Sequence, residues 1–161
     1  MKEILHTMIA AAALALAQAA PASAGVNDPE KIIYRFVGVA DNGGAAGSGI
    51  STAIVCTNFS GATENIRFVT RDKQGSLLGN VFFSLNHLAT GVAGTHLSVT
   101  YPVDLIIIPD FIGFTGTTAV AATSMNIVCS ATTVDTRTAP FPPSYVPVRG
   151  IRFLPIPGTQ E

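Results

Sequence analysis

Two stretches of the chain repeat one pattern, Ile54-Val55-Cys56-Thr57 and Ile127-Val128-Cys129-Ser130, and between them they hold both cysteines of the 161-residue sequence. Each is a β-branched run, and such side chains pack well on a pleated, half-buried surface. In the first run Ile50, Ile54 and Cys56 share one face, with Ser51 and Thr57 on the other. Whether the two cysteines pair depends on where the chain goes, because disulfides persist in oxidising compartments and are rare in the cytosol.

The N-terminus reads as an address. Met1 to Ala24 is MKEILHTMIAAAALALAQAAPASA, with Lys2 beside the free amine, its charge offset by Glu3, and an apolar run from Met8 to Ala17. It ends in Ala22-Ser23-Ala24, the small-x-small pattern of a secretory signal. The apolar run is half the roughly twenty residues that a membrane span needs. Cleavage is expected after Ala24, with an earlier cut offered after Ala19, leaving residues 25–161 as one exported domain without a transmembrane span. Gly25 stands where a lipoprotein needs Cys.

In an oxidising compartment an even cysteine count favours one Cys56–Cys129 disulfide. Closing a loop of about 70 residues is worth roughly 4 kcal/mol in chain entropy, against a typical domain stability of about 5–15 kcal/mol. There is no C-x-x-C, and neither cysteine has a neighbouring His or Lys to lower its pKa, so the pair is expected to be structural rather than redox-active.

From Lys31 onward, short β-branched or aromatic runs alternate with Gly, Asn, Asp and Pro clusters, and apolar residues recur at two rather than at three and four. Strands are expected at Ile32 to Ala40, Gly49 to Asn58, Asn65 to Arg71, Leu77 to Leu85, Leu97 to Tyr101, Asp104 to Ile108, Thr118 to Thr133 (bent or split) and Gly150 to Leu154. Asp72-Lys73-Gln74-Gly75 has hairpin-turn chemistry, its Gly suited to positive φ. The small-residue stretch Asp41 to Gly49 reads as a connection: its glycines lack the G-x-G-x-x-G order and no helix follows to aim amides at a phosphate. Pro140 to Pro147 reads as an extended, polyproline-like crossing. Many short strands plus two interior strands bridged some seventy residues apart predict an all-β fold. The expected form is an antiparallel immunoglobulin-like β-sandwich of about seven or eight strands with one disulfide. The chain has no Trp, so the residue that packs on that bridge in antibody domains is missing.

Cys56-Thr57-Asn58, Ala122-Thr123 ahead of Ile127-Val128-Cys129, and Val148-Arg149-Gly150-Ile151-Arg152-Phe153 near the C-terminus give the chain a resemblance to small exported bacterial proteins with a two-cysteine β-sandwich-like domain. The resemblance covers most of Gly49 to Glu161. It implies export and a disulfide-linked β-sandwich, and it carries over no catalytic residue.

Lys+Arg number 9 and Asp+Glu 10, a net charge of −1 with no run of like charge, so a partner held through phosphates, nucleic acid above all, is not expected. Catalytic constellations are sparse. His87 and His96 would meet only if the strands carrying them paired, and Asp104 or Asp110 would then complete a divalent-metal shell. Gly49-Ile50-Ser51-Thr52-Ala53 lacks the closing Gly of a nucleophile elbow. Asn58-Phe59-Ser60 has the form of a glycosylation sequon but reads as the turn after a strand. Phe111, Ile112 and Phe114, an apolar stretch around Gly113 after Pro109-Asp110, form the candidate binding surface.

The expectation is a periplasmic or extracellular, non-enzymatic binding or cell-surface accessory protein, with a protein or glycan partner and no cofactor. A second expectation is a self-associating structural subunit that donates Ile151 to Ile156 as an edge strand to a neighbour. A metal-dependent hydrolase using His87 and His96 is a third.

Overall fold

The structure is a computed structural model and describes residues 30–43, 49–97, 102–108 and 113–135 in full and the backbone of 145–148 and 150–152. The expected signal segment, the centre of the glycine-rich connection, Ser98 to Tyr101, Asp110, Phe111, Ile112, and the proline-rich segment ahead of Tyr145 lie outside those residues.

The described residues form ten strands: β1 Lys31–Asp41, β2 Ile50–Asn58, β3 Glu64–Asp72, β4 Leu77–Leu85, β5 Thr90–Gly94, β6 Leu105–Ile106, β7 Phe114–Ala122, β8 Ile127–Asp135, β9 Tyr145–Val148 and β10 Gly150–Arg152. They make two five-stranded sheets, ordered β10-β1-β7-β3-β4 and β6-β5-β2-β8-β9. Both sheets contribute to one hydrophobic core. Ile33, Phe36, Ile66, Phe68 and Val120 come from the first, and Ile54, Cys56, Ala93, Ile127 and Ala131 from the second. The Phe68 and Phe83 rings stack within it at 5.5 Å between centroids.

Alternation explains the long strands. On β3, Ile66, Phe68 and Thr70 are buried while Arg67, Val69 and Arg71 are half-buried on the opposite face. β1 carries two irregularities against β7, at Ile32/Tyr34 and Val37/Val39, and Gly38 sits in the second with φ +76°. A bulge takes its extra residue into the left-handed region at little cost when that residue is glycine. Beyond it Val39 and Asp41 are both buried, which carries an acid to the interior end of the strand.

The expected hairpin is present. Asp72 Oδ1 accepts from the Gln74 and Ser76 amides at 2.9 and 2.8 Å, the Gly75 amide donates to Asp72 O at 3.0 Å, and Gly75 has φ +88°. The long run expected over Thr118 to Thr133 is two strands, β7 and β8, broken between Ala122 and Ile127.

Four features differ from the sequence expectation. β5 is a strand that the sequence did not suggest, its Gly91 and Gly94 depressing strand propensity but leaving room for the Phe83 ring and the Val103 side chain, while all of the strand expected from Leu97 except Leu97 itself lies outside the described residues. β5 and β6 pair in parallel, so the second sheet is not wholly antiparallel. Tyr145–Val148 is a strand on β8 rather than part of a polyproline crossing, with Pro147 tolerated because β9 is an edge. The disulfide is formed, but Cys56 and Cys129 lie directly opposite each other on adjacent strands of one sheet. An immunoglobulin bridge spans the two sheets; this one staples β2 to β8 on the face turned to the core. β10, the element offered as a donated strand, pairs with β1 of its own chain through Tyr34↔Arg152 and Phe36↔Gly150.

Candidate functional site

Three strand ends of the first sheet come together: β1 finishes at Asp41, β7 begins at Phe114 opposite it, and β3 finishes at Asp72 opposite Gly116. The β3–β4 turn rises beside them. The cleft they enclose, about 440 Å³, is lined by Asp41, Asp72, Lys73, Gln74, Leu78, Gly113, Phe114 and Thr115. The lining is mostly polar, with Leu78 and the Phe114 ring as its apolar part, and the size lies within the range that small-ligand sites occupy. Lys73 and Gln74 are exposed on the rim, whereas Phe114 is half-buried and leans on the core.

Asp41 is the fixed group of this cleft. Its Oδ1 accepts from the Gly43 amide at 2.6 Å and its Oδ2 lies 2.7 Å from His96 Nδ1. Both side chains are 1% exposed. A carboxylate oxygen only accepts, so the proton of this bond sits on Nδ1. His96 is held from the second sheet: Thr95 Oγ1 accepts from the Thr52 amide at 3.0 Å, and the Thr95 amide donates to Thr52 O at 3.0 Å. Thr52 Oγ1 in turn donates to Ala40 O and accepts from the Ala40 amide, both at 2.9 Å. A buried polar seam thus runs between the sheets directly behind the cleft. Among the described residues every buried side-chain nitrogen and oxygen has a hydrogen-bond partner, as interior polar groups require.

The two histidines are not brought together. His87 is exposed in the β4–β5 turn and its Nδ1 accepts from the Gly61 amide at 3.0 Å. The turn abuts Asn58 through Leu88, while Thr95 beside His96 abuts Thr52, so the histidines flank opposite ends of β2, about 20 Å apart at strand spacing. Asp104 is engaged elsewhere, its Oδ2 accepting from the Val92 amide at 2.8 Å. Among the described residues no group of three His, Cys, Asp or Glu is placed to hold a metal ion.

Asn58 of the sequon is fully buried. Its amide donates to Ala62 O and Leu85 O, both at 2.7 Å, and its Oδ1 accepts from the Ser60 amide at 2.8 Å, closing the turn after β2. On the outer face of the first sheet, Arg35 and Arg71 flank β7 across Ala119 and Thr117. Burial, and then the Arg71 guanidinium, hold Arg35 below the usual arginine value. Arg67 pairs with Glu30 and lies over the Phe82 ring at 5.6 Å.

Of the residues expected to form the binding surface, Phe114 lines the cleft, while Phe111 and Ile112 lie outside the described residues. Asp41, Asp72, Lys73 and Gln74 are the cleft groups that sequence reasoning missed. The signal for Asp41 is its parity with Val39 after the Gly38 bulge, which puts it on the interior side.

No protein family and no curated protein matches the chain. Among solved structures it is similar to the crystal structure of Thermotoga maritima 1070, at 11% identity and a TM-score of 0.45, over 74% of this chain and 94% of that one. The fold class stands on the chain's own sheets: an all-β protein of two sheets with one disulfide, a bond that points to a non-cytoplasmic location. Among the described residues no helix is long and apolar enough to cross a membrane.

Proposed function

We propose that the protein is an exported, non-enzymatic binding module of the periplasm or cell exterior, one domain over residues 25–161, that holds a glycan in the cleft between Asp41, the β3–β4 turn and Phe114. The observation that carries this reading is the pairing of polar rim groups, Asp72, Lys73 and Gln74, with an aromatic wall, over a base that the buried Asp41 holds rigid. Asp41 is locked by Gly43 and His96, and Phe114 stands opposite it in the β1–β7 register. A sugar presents hydroxyls on its edges and C–H groups on its faces. Carboxylate and amide groups such as Asp72 and Gln74 accept and donate to the first, and the Phe114 ring covers the second.

The non-enzymatic reading is supported by the position of His96, whose imidazole is spent on joining the sheets and is closed to a substrate. The two sheets are read as the halves of an immunoglobulin-like sandwich. Their shared core supports that reading, and the bridge within one sheet distinguishes this sandwich from antibody domains.

Thermal unfolding of the oxidised chain against a panel of neutral mono- and oligosaccharides tests the proposal, since a ligand that binds only the folded state raises its melting temperature. A sugar that stabilises the parent and fails to stabilise the Lys73→Ala, Gln74→Ala double variant is expected. A panel without effect, or a shift that survives the double substitution, contradicts it.

A further inference from the structure

We infer that the outer edge of β4 is a self-association surface, on which a second copy of this chain lays its own β4 antiparallel to continue the first sheet through both molecules. Among the described residues each sheet ends in two edge strands, and three of the four are short there: β10 has three residues, β6 two, and β9 four with Pro147 among them. β4 has nine residues, Leu-Leu-Gly-Asn-Val-Phe-Phe-Ser-Leu, with neither a charge nor a proline. Proteins guard free edges with lysines, prolines, bulges or brevity. The one irregularity in the β3–β4 pairing falls between Thr70 and Arg71, which leaves Gly79 to Leu85 as a regular run. Among the described residues no strand is bonded to its outer side.

The composition of that run fits a second copy. A two-fold interface sets like against like, so any charge on the strand would meet itself or its neighbour's twin; β4 has none to oppose. The centre of Gly79 to Leu85 is Phe82, 54% exposed on the outer face, and an antiparallel two-fold there sets Phe82 against Phe82. Cross-strand aromatic pairs of this kind stabilise sheets. Arg67, held by Glu30, already fixes the ring from its other side.

The test is light scattering coupled to size exclusion on the oxidised chain over a hundredfold concentration range, with Phe82→Glu, Phe82→Lys and an equimolar mixture of the two. The parent is expected to approach twice the monomer mass. Each variant alone is expected to stay monomeric with its melting temperature kept, and the mixture to recover the doubled mass, because opposite charges then meet at the two-fold. Hydrogen exchange on the parent gives a readout free of substitutions: amides within Gly79 to Leu85 should gain protection as concentration rises. A parent that stays monomeric throughout, a doubled mass that persists in both variants, or protection gained only outside β4 overturns the inference.

Discussion

His96 Nδ1 lies 2.7 Å from Asp41 Oδ2 with both side chains 1% exposed, so a residue two positions beyond β5 of one sheet is tied to the last residue of β1 in the other. Removing one partner of such a pair strands the other in the interior, which costs about 3–5 kcal/mol. His96→Ala is expected to lose that much. Asp41→Asn keeps an acceptor for the Gly43 amide and a polar group for the imidazole, so its loss should stay within about 1–3 kcal/mol. Urea unfolding midpoints at unchanged slope measure both, and equal losses would contradict this account of the pair.

The bridge should stabilise without directing the fold. Nine residue pairs join β2 to β8, and Cys56↔Cys129 is one of them, so the strands keep their register when sulfur is removed. The Cys56→Ala, Cys129→Ala double variant is expected to retain the far-ultraviolet spectrum of the parent and to lose roughly 4 kcal/mol, the chain entropy of the loop it opens. Denaturant titration under non-reducing conditions measures the difference. An unfolded variant, or one as stable as the parent, would contradict it.

Two glycines of the β3–β4 hairpin are required for different reasons. A methyl group on Gly79 would fall well inside contact distance of the Ile107 carbonyl oxygen, where the backbone leading out of β6 crosses β4. Gly75 has open space around it but a φ of +88°. Gly75→Ala is therefore expected to cost about 1–2 kcal/mol for the left-handed conformation, and Gly75→Asn less. Gly79→Ala should exceed both, at about 1–3 kcal/mol or more, as overpacking does. Thermal unfolding ranks the three; Gly75→Ala as the most damaging would reverse the argument.

The first four strands were legible because each is a run rich in β-branched, aromatic or leucine residues bounded by Gly, Asn, Asp or Ser turn chemistry. Leu77 to Leu85 is observed with the limits expected, and β1, β2 and β3 begin or end one residue from theirs. β5 was not legible, since Thr90-Gly91-Val92-Ala93-Gly94 has the composition of a turn and becomes a strand only because β2 pairs with it. The cysteine pair was readable from parity and compartment. Which strands are neighbours was not, because parity fixes a face and says nothing about order across the sheet. The cleft was hidden for the same reason: Asp41, Asp72 and Phe114 are far apart in sequence and meet only through the β1–β7–β3 order. His96 drew attention as a metal ligand, yet its partner is an acid that the sequence assigns to a flexible connection.

The claim that the cleft is the binding site is tested most directly by amide chemical-shift mapping of the oxidised, isotopically labelled chain titrated with neutral oligosaccharides. The amides of Lys73, Gln74 and Thr115 are predicted to move together and saturably, with those on the exposed face of β8 unchanged. Saturable movement confined to residues away from the Asp41 end of the sheets, or no movement at all across the series, would contradict it.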